Sequence, residues 1–112
     1  MQWLTVCSVD DLQDCLGVCA LVDGQQVAIF YVANTVYALG NYDPFGKANV
    51  LSRGIVGDIK GQPVVSSPLY KQHFNLQTGL CLEDESICVP VYACYIDNGK
   101  VQIETQLKEA VL

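Results

Sequence analysis

The stretch Val18-Cys19-Ala20-Leu21-Val22-Asp23-Gly24-Gln25-Gln26-Val27-Ala28-Ile29-Phe30-Tyr31-Val32-Ala33-Asn34-Thr35-Val36-Tyr37-Ala38-Leu39 decides the fold class. Asp23-Gly24 lies between runs rich in β-branched and aromatic residues, and an Asp-Gly pair supplies the positive φ angles that a tight hairpin needs. Ala33-Asn34 is a second turn. The stretch therefore predicts three antiparallel strands over 18–22, 26–32 and 35–39.

Working downstream, the pattern dissolves between Gly40 and Gly61 into Asn41-Tyr42-Asp43-Pro44-Phe45-Gly46 and a tract holding Gly54, Gly57 and Gly61. So long a loop in so small a chain points to a purpose. A short strand over 63–66 follows, then Ser67-Pro68-Leu69-Tyr70, a strand over 73–76 and the turn Gln77-Thr78-Gly79. Beyond the acidic turn Glu83-Asp84-Glu85, strands over 87–96 and 100–105 flank Asp97-Asn98-Gly99, a second hairpin signal. Upstream, Ser8 can cap a short helix over 10–15 that Gly17 stops, with Asp10 and Asp11 favouring its positive end. The tail 106–112 reads as a frayed helix or a docking strand.

Short strands with turns every eight to twelve residues describe an all-β antiparallel sandwich or partly open barrel. With 112 residues and no linker, the chain is expected to be one domain over 1–112, with 41–79 as a loop subdomain inserted between two sets of base strands. Twelve acidic against six basic side chains give a net charge of −6 with no basic cluster, which argues against nucleic acid as a partner. No stretch matches the roughly 18 apolar residues of a membrane span, because Asp23, Asp43, Arg53, Asp58 and Lys60 interrupt the candidates. The first residues lack the features of a secretory signal, so a cytoplasmic location is expected. A 51% apolar composition with positive mean hydropathy is high for a short chain outside a membrane, and points to a partner interface. Trp3, Tyr42, Phe45, Leu69 and Tyr70 are the candidates for it, and self-association is a further option.

Six cysteines, Cys7, Cys15, Cys19, Cys81, Cys88 and Cys94, lack the close pairs of a metal site and are expected mostly as small buried hydrophobes. Cys81 and Cys88 flank the acidic turn and could face each other across a hairpin, although the nearby carboxylates would raise their pKa values and lower their reactivity. His73 is the single histidine, which alone makes neither a metal site nor a triad, and is expected at the surface or an interface. The glycine tract lacks the Lys-Ser/Thr of a phosphate loop.

Taken together, Asn41-Tyr42-Asp43-Pro44-Phe45, Ser67-Pro68-Leu69-Tyr70 with Phe74-Asn75-Leu76 and Thr78-Gly79, and the closing Val91-Tyr92 to Asp97-Asn98-Gly99-Lys100-Val101 resemble the Rieske ferredoxin domains over nearly the whole chain. In that family two loops each supply one Cys and one His to a [2Fe–2S] cluster. The resemblance puts Asp43 and Phe45 at the first pair of ligand positions and Ser67 and Tyr70 at the second. Two thiolates and two imidazoles are what such a cluster needs; a phenyl ring has no lone pair, and the remaining oxygens are hard donors. No catalytic, cofactor or metal residue is expected on this chain. Asp43, Ser67 and Tyr70 are expected to hydrogen-bond across the loops instead, and Phe45 to pack over Pro68 and Leu69 as an apolar plug.

A Rieske-like domain of this length with these losses is similar to the small subunits of NADH-dependent assimilatory nitrite reductases. That resemblance implies an oxidoreductase accessory subunit whose partner is a large catalytic subunit carrying FAD, a [4Fe–4S] cluster and siroheme. The large subunit would reduce nitrite to ammonium. Two alternatives stay open: an electron carrier with an altered cofactor, and a non-enzymatic interaction module on the same fold.

Overall fold

The computed structural model describes residues 3–13, 16–69 and 71–107. Eleven strands form among them: β1 (Trp3–Ser8), β2 (Val18–Val22), β3 (Gln25–Val32), β4 (Thr35–Gly40), β5 (Tyr42–Asp43), β6 (Ala48–Asn49), β7 (Ile55–Ile59), β8 (Gln62–Ser66), β9 (His73–Asn75), β10 (Val91–Asp97) and β11 (Lys100–Leu107). Six of them make one antiparallel sheet in the order β1-β11-β10-β4-β3-β2, curled into a nearly closed barrel. The all-β reading stands. Two smaller sheets, β5-β6 and β7-β8-β9, come from the segment between β4 and β10.

The hairpins form where the turn residues require them. Asp23 and Gly24 adopt φ of 52° and 82°, Asn98 and Gly99 of 54° and 78°, matching the twist of the flanking strands. Register follows: Val22 pairs with Gln25, and Asp97 with Lys100.

β3 explains how the small sheets attach. Val27, Ala28, Ile29 and Phe30 are consecutive and all fully buried, although successive side chains in a strand point to opposite faces. Val27 and Ile29 join Val22, Ala38, Val101 and Ile103 in the barrel core. Ala28 and Phe30 join Leu39, Leu51, Val65, Phe74, Leu76, Cys81 and Val89 in a second core, between the sheet and the segment that follows β4. The sheet is thus covered on both faces there, and the second core fixes the orientation of both loops.

Several expectations need correcting. The predicted helix over 10–15 is only a single 3-10 turn, Val9–Asp11. Ser8 does cap it: its hydroxyl accepts from Asp10 N–H at 3.3 Å and its own N–H donates to Asp11 Oδ2 at 3.0 Å. The chain leaves that turn at Leu12, which is extended and buried. Cys15 lies outside the described residues. The tract 40–61 is not a loop throughout, since it carries β5, β6, a 3-10 turn at Leu51–Arg53 and the whole of β7. The strand expected over 87–96 begins only at Val91, because Val89 N–H is already given to Gly79 O at 2.9 Å and Pro90 has no N–H to give. The tail is strand as far as Leu107, and 108–112 lie outside the described residues.

Candidate functional site

The two loops that carry the family resemblance meet. Asn41 anchors the first: it is buried, donates to Gln26 Oε1 at 3.1 Å, and accepts from Ser52 N–H at 2.7 Å and from Leu51 N–H at 3.1 Å. That network ties the end of β4 to the 3-10 turn and starts the loop at a fixed angle. The second loop leaves β8 at Ser66, which pairs with His73 of β9, so both of its ends are held by one sheet.

The two loops have the same backbone plan. In the first, Asp43 Oδ1 accepts from Phe45 N–H at 2.9 Å and Asp43 O accepts from Lys47 N–H at 2.7 Å. In the second, Ser67 Oγ accepts from Leu69 N–H at 3.3 Å and Ser67 O accepts from Lys71 N–H at 3.1 Å. Each five-residue turn therefore opens on a side-chain acceptor, has proline second and closes on a lysine. Both lysines sit in the left-handed region, Lys47 at φ 56° and Lys71 at φ 63°, a conformation that costs a non-glycine residue energy.

The opening residues are joined to each other. Ser67 Oγ donates to Asp43 Oδ2, and both residues are buried, with relative exposures of 1% and 0%. A Cβ added to Gly46 would lie 2.3 Å from Leu69 Cδ1 and 3.1 Å from Asp43 Oδ2, so the loops touch through Gly46 as well. Phe45 is half-buried and packs toward the second core, its ring 6.2 Å from that of Phe74. Its ring partner is thus Phe74 of β9.

This arrangement does not fit a [2Fe–2S] group. The positions assigned to its first pair of ligands hold a buried carboxylate already engaged by two donors and a phenyl ring turned toward the core; the second loop offers a hydroxyl committed to that carboxylate. None supplies thiolate or imidazole. Tyr70 lies outside the described residues. Among the described residues no group of three or more His, Cys, Asp or Glu side chains is placed to hold a metal ion.

Of the proposed interface residues, Tyr42 and Leu69 are exposed at 47% and 46% on the two loops. Trp3 is also exposed, but on β1, where its ring meets Tyr95 edge-on at 4.8 Å. His73 is partly exposed; its Nδ1 lies 2.7 Å from Glu83 Oε2 and its N–H donates to Glu83 Oε1 at 2.7 Å. At Glu83, desolvation pushes the pKa upward, but the two hydrogen bonds and the charge of His73 outweigh it, leaving the carboxyl below its ordinary value.

The cysteines correct two expectations. Of the five described, only Cys81 is buried; Cys7 and Cys94 are half-buried and Cys19 and Cys88 exposed. Cys81 and Cys88 do not face one another, because Cys81 bridges to Phe74 while Cys88 bridges to Leu80. Burial, above all, raises the Cys81 thiol pKa. Lys47 and Lys71 went unnoticed in the sequence, since nothing in composition marks a lysine as left-handed.

The model of the Rieske-like [2Fe–2S] domain family matches residues 2–104. A nitrite reductase (NADH) small subunit of Salmonella typhimurium is 47% identical over 104 residues, covering 91% of this chain and 96% of its own. A crystal structure from Mycobacterium tuberculosis, of an NADH-dependent nitrite reductase small subunit, superposes with a TM-score of 0.89 at 44% identity, covering 98% of this chain and 97% of that one. The chain belongs to the Rieske-like [2Fe–2S] domain family and, within it, to the family of nitrite reductase (NADH) small subunits. A nitrite reductase [NAD(P)H] large subunit of Klebsiella oxytoca is 38% identical over 104 residues, covering 93% of this chain but only 11% of its own length.

Proposed function

We propose that the chain is the accessory, cluster-free subunit of an NADH-dependent nitrite reductase, docked on a large catalytic subunit that carries FAD, a [4Fe–4S] cluster and siroheme. That subunit reduces nitrite to ammonium in the cytoplasm, in the service of nitrate assimilation. The observation that carries this reading is the Klebsiella relative, in which the same domain forms 11% of a protein named as the large subunit. A domain found both as a separate chain and inside the larger one is supported as its constant companion. Covalent attachment replaces a bimolecular association with a high effective concentration, so a separate chain needs a docking surface of its own.

The segment 41–79 is, in this reading, an inserted subdomain that corresponds to the cluster-binding region of the family and keeps its loops without the metal. The Asp43–Ser67 hydrogen bond supports the role of a latch, since it ties together the two positions at which the family's loops would place their thiolates. The chain then contributes shape and binding energy, and electrons travel within the large subunit.

Co-expression with the large subunit of the same organism tests this. The expected result is a stable complex whose NADH-dependent nitrite consumption exceeds that of the large subunit alone. No complex, and no change in rate on adding the small chain, would refute it.

A further inference from the structure

We propose that the paired loop ends, residues 43–47 together with Ser67, Pro68, Leu69 and Lys71, are the face that docks on the large subunit, with Lys47 and Lys71 meeting carboxylates of that partner around an apolar centre of Tyr42 and Leu69. This rests on the reading of the chain as an accessory subunit, and it names the surface which that reading requires.

Charge singles out this face. The segment 41–79 holds four of the six basic side chains and only two of the twelve acidic ones, and one of those two, Asp43, is buried in the latch. The remainder of the chain holds two basic against ten acidic side chains. Of the four, Lys47 and Lys71 lie on the two loops, whereas Arg53 lies in the 3-10 turn and Lys60 in the β7–β8 turn at the far end of β8. A strongly acidic molecule thus presents two cations beside the exposed Tyr42 and Leu69, and the occupant that complements them is an acidic surface on the larger body. The acidic turn at Glu83 borders the second loop, where Glu83 is already engaged by His73.

Geometry supports the same face. Tyr42, Leu69 and Pro68 are exposed, and so are both lysines. Asp43 and Ser67 hold the two loops at fixed separation, so the apolar centre and its cationic rim are organised before any partner arrives, which reduces the ordering cost of association. Both lysines are kept at positive φ, where glycine or asparagine would be less strained. Lys60 holds a similar φ of 52° in the β7–β8 turn, so the positive φ belongs to the turn geometry and the charge and exposure of the loops carry the assignment.

The strain supplies the decisive variant. K47G/K71G removes both charges while relieving both backbones, so its melting temperature is expected to equal or exceed that of the wild type. Its Kd for the purified holo large subunit is nevertheless expected to rise about fivefold, and that of K47E/K71E by more than about tenfold, with a weaker dependence on salt than the wild type. K60E/K100E makes the same change in net charge at two exposed hairpin turns and is expected to bind within about twofold of wild type. If the wild type binds and the loop variants bind equally well, the face is wrong and the accessory-subunit reading stands. If the wild type itself does not bind, both fall. If the loop variants instead abolish self-association of the free chain without affecting the large subunit, the occupant is a second copy and the proposal is overturned.

Discussion

Replacing Asp43 by alanine should destabilise the protein by about 3 kcal/mol, and the structure says where that loss arises. The carboxylate is fully buried and accepts from Phe45 N–H and Ser67 O–H. Truncation strands both donors, and each buried group left without a partner costs roughly 1–3 kcal/mol. The hydroxyl of Ser67 can rotate and recover part of its loss, which places the sum in the lower half of the combined range of roughly 2–6 kcal/mol. Asp43→Asn keeps an oxygen for Phe45 and turns an amide toward Ser67 Oγ, so it should lose only about 1 kcal/mol. Guanidinium unfolding followed by far-UV circular dichroism gives these values, and a cycle through Asp43→Ala, Ser67→Ala and the double variant isolates the bond between the loops. The expected coupling is about 1–2 kcal/mol. A loss below about 0.5 kcal/mol for Asp43→Ala, or a coupling indistinguishable from zero, would refute the latch.

Three other outcomes follow from the same geometry. Gly79→Ala should cost at least about 2 kcal/mol, because Gly79 holds φ 77° and a Cβ there would lie 2.2 Å from Val89 O; a melting curve unchanged from wild type would contradict the turn. Glu83, its pKa depressed in the folded state, contributes stability that is complete above its unfolded value near ~4.3 and is lost as pH falls through the lower folded value; because the pair is largely exposed, the effect should stay under about 1 kcal/mol. Glu83→Gln should therefore flatten the acid limb of stability against pH, and an unchanged limb would show that His73 does not hold it. In native protein at neutral pH, iodoacetamide should label Cys88 readily and Cys81 only on unfolding, since Cys81 is buried and its thiol pKa raised; equal labelling by peptide mass spectrometry would place Cys81 at the surface.

Much of the barrel was legible in the sequence because its turns carry the residues that positive φ demands: Asp23-Gly24 and Asn98-Gly99 fixed two hairpins. Where a turn uses an ordinary residue, that signal fails. Lys60-Gly61 joins β7 to β8 with Lys60 at φ 52°, so Ile55–Ile59 read as a glycine tract, and β7 became visible only through its pairing with Val64 and Val65. The helix expected after Ser8 had a true cap, but burial of Leu12 draws the chain out after one turn; tertiary packing overrode local preference. In the loops, Asn41, Asp43 and Ser67 were marked by their place in a motif; of the cross-loop hydrogen bonding expected of Asp43, Ser67 and Tyr70, the bond between Asp43 and Ser67 is present and Tyr70 lies outside the described residues. The ring pair of Phe45 with Phe74 was not legible, because Phe74 belongs to a core built from β3, β8 and β9, a neighbourhood no local pattern reveals.

Loops that offer a carboxyl, a phenyl ring and a hydroxyl in place of thiolate and imidazole should leave the domain without a cluster, and metal content reads this most directly. Protein expressed and purified anaerobically with iron in excess should contain neither stoichiometric iron nor acid-labile sulfide, and should show no visible absorption band. About two irons and two sulfides per chain, with the spectrum of a [2Fe–2S] centre, would contradict it.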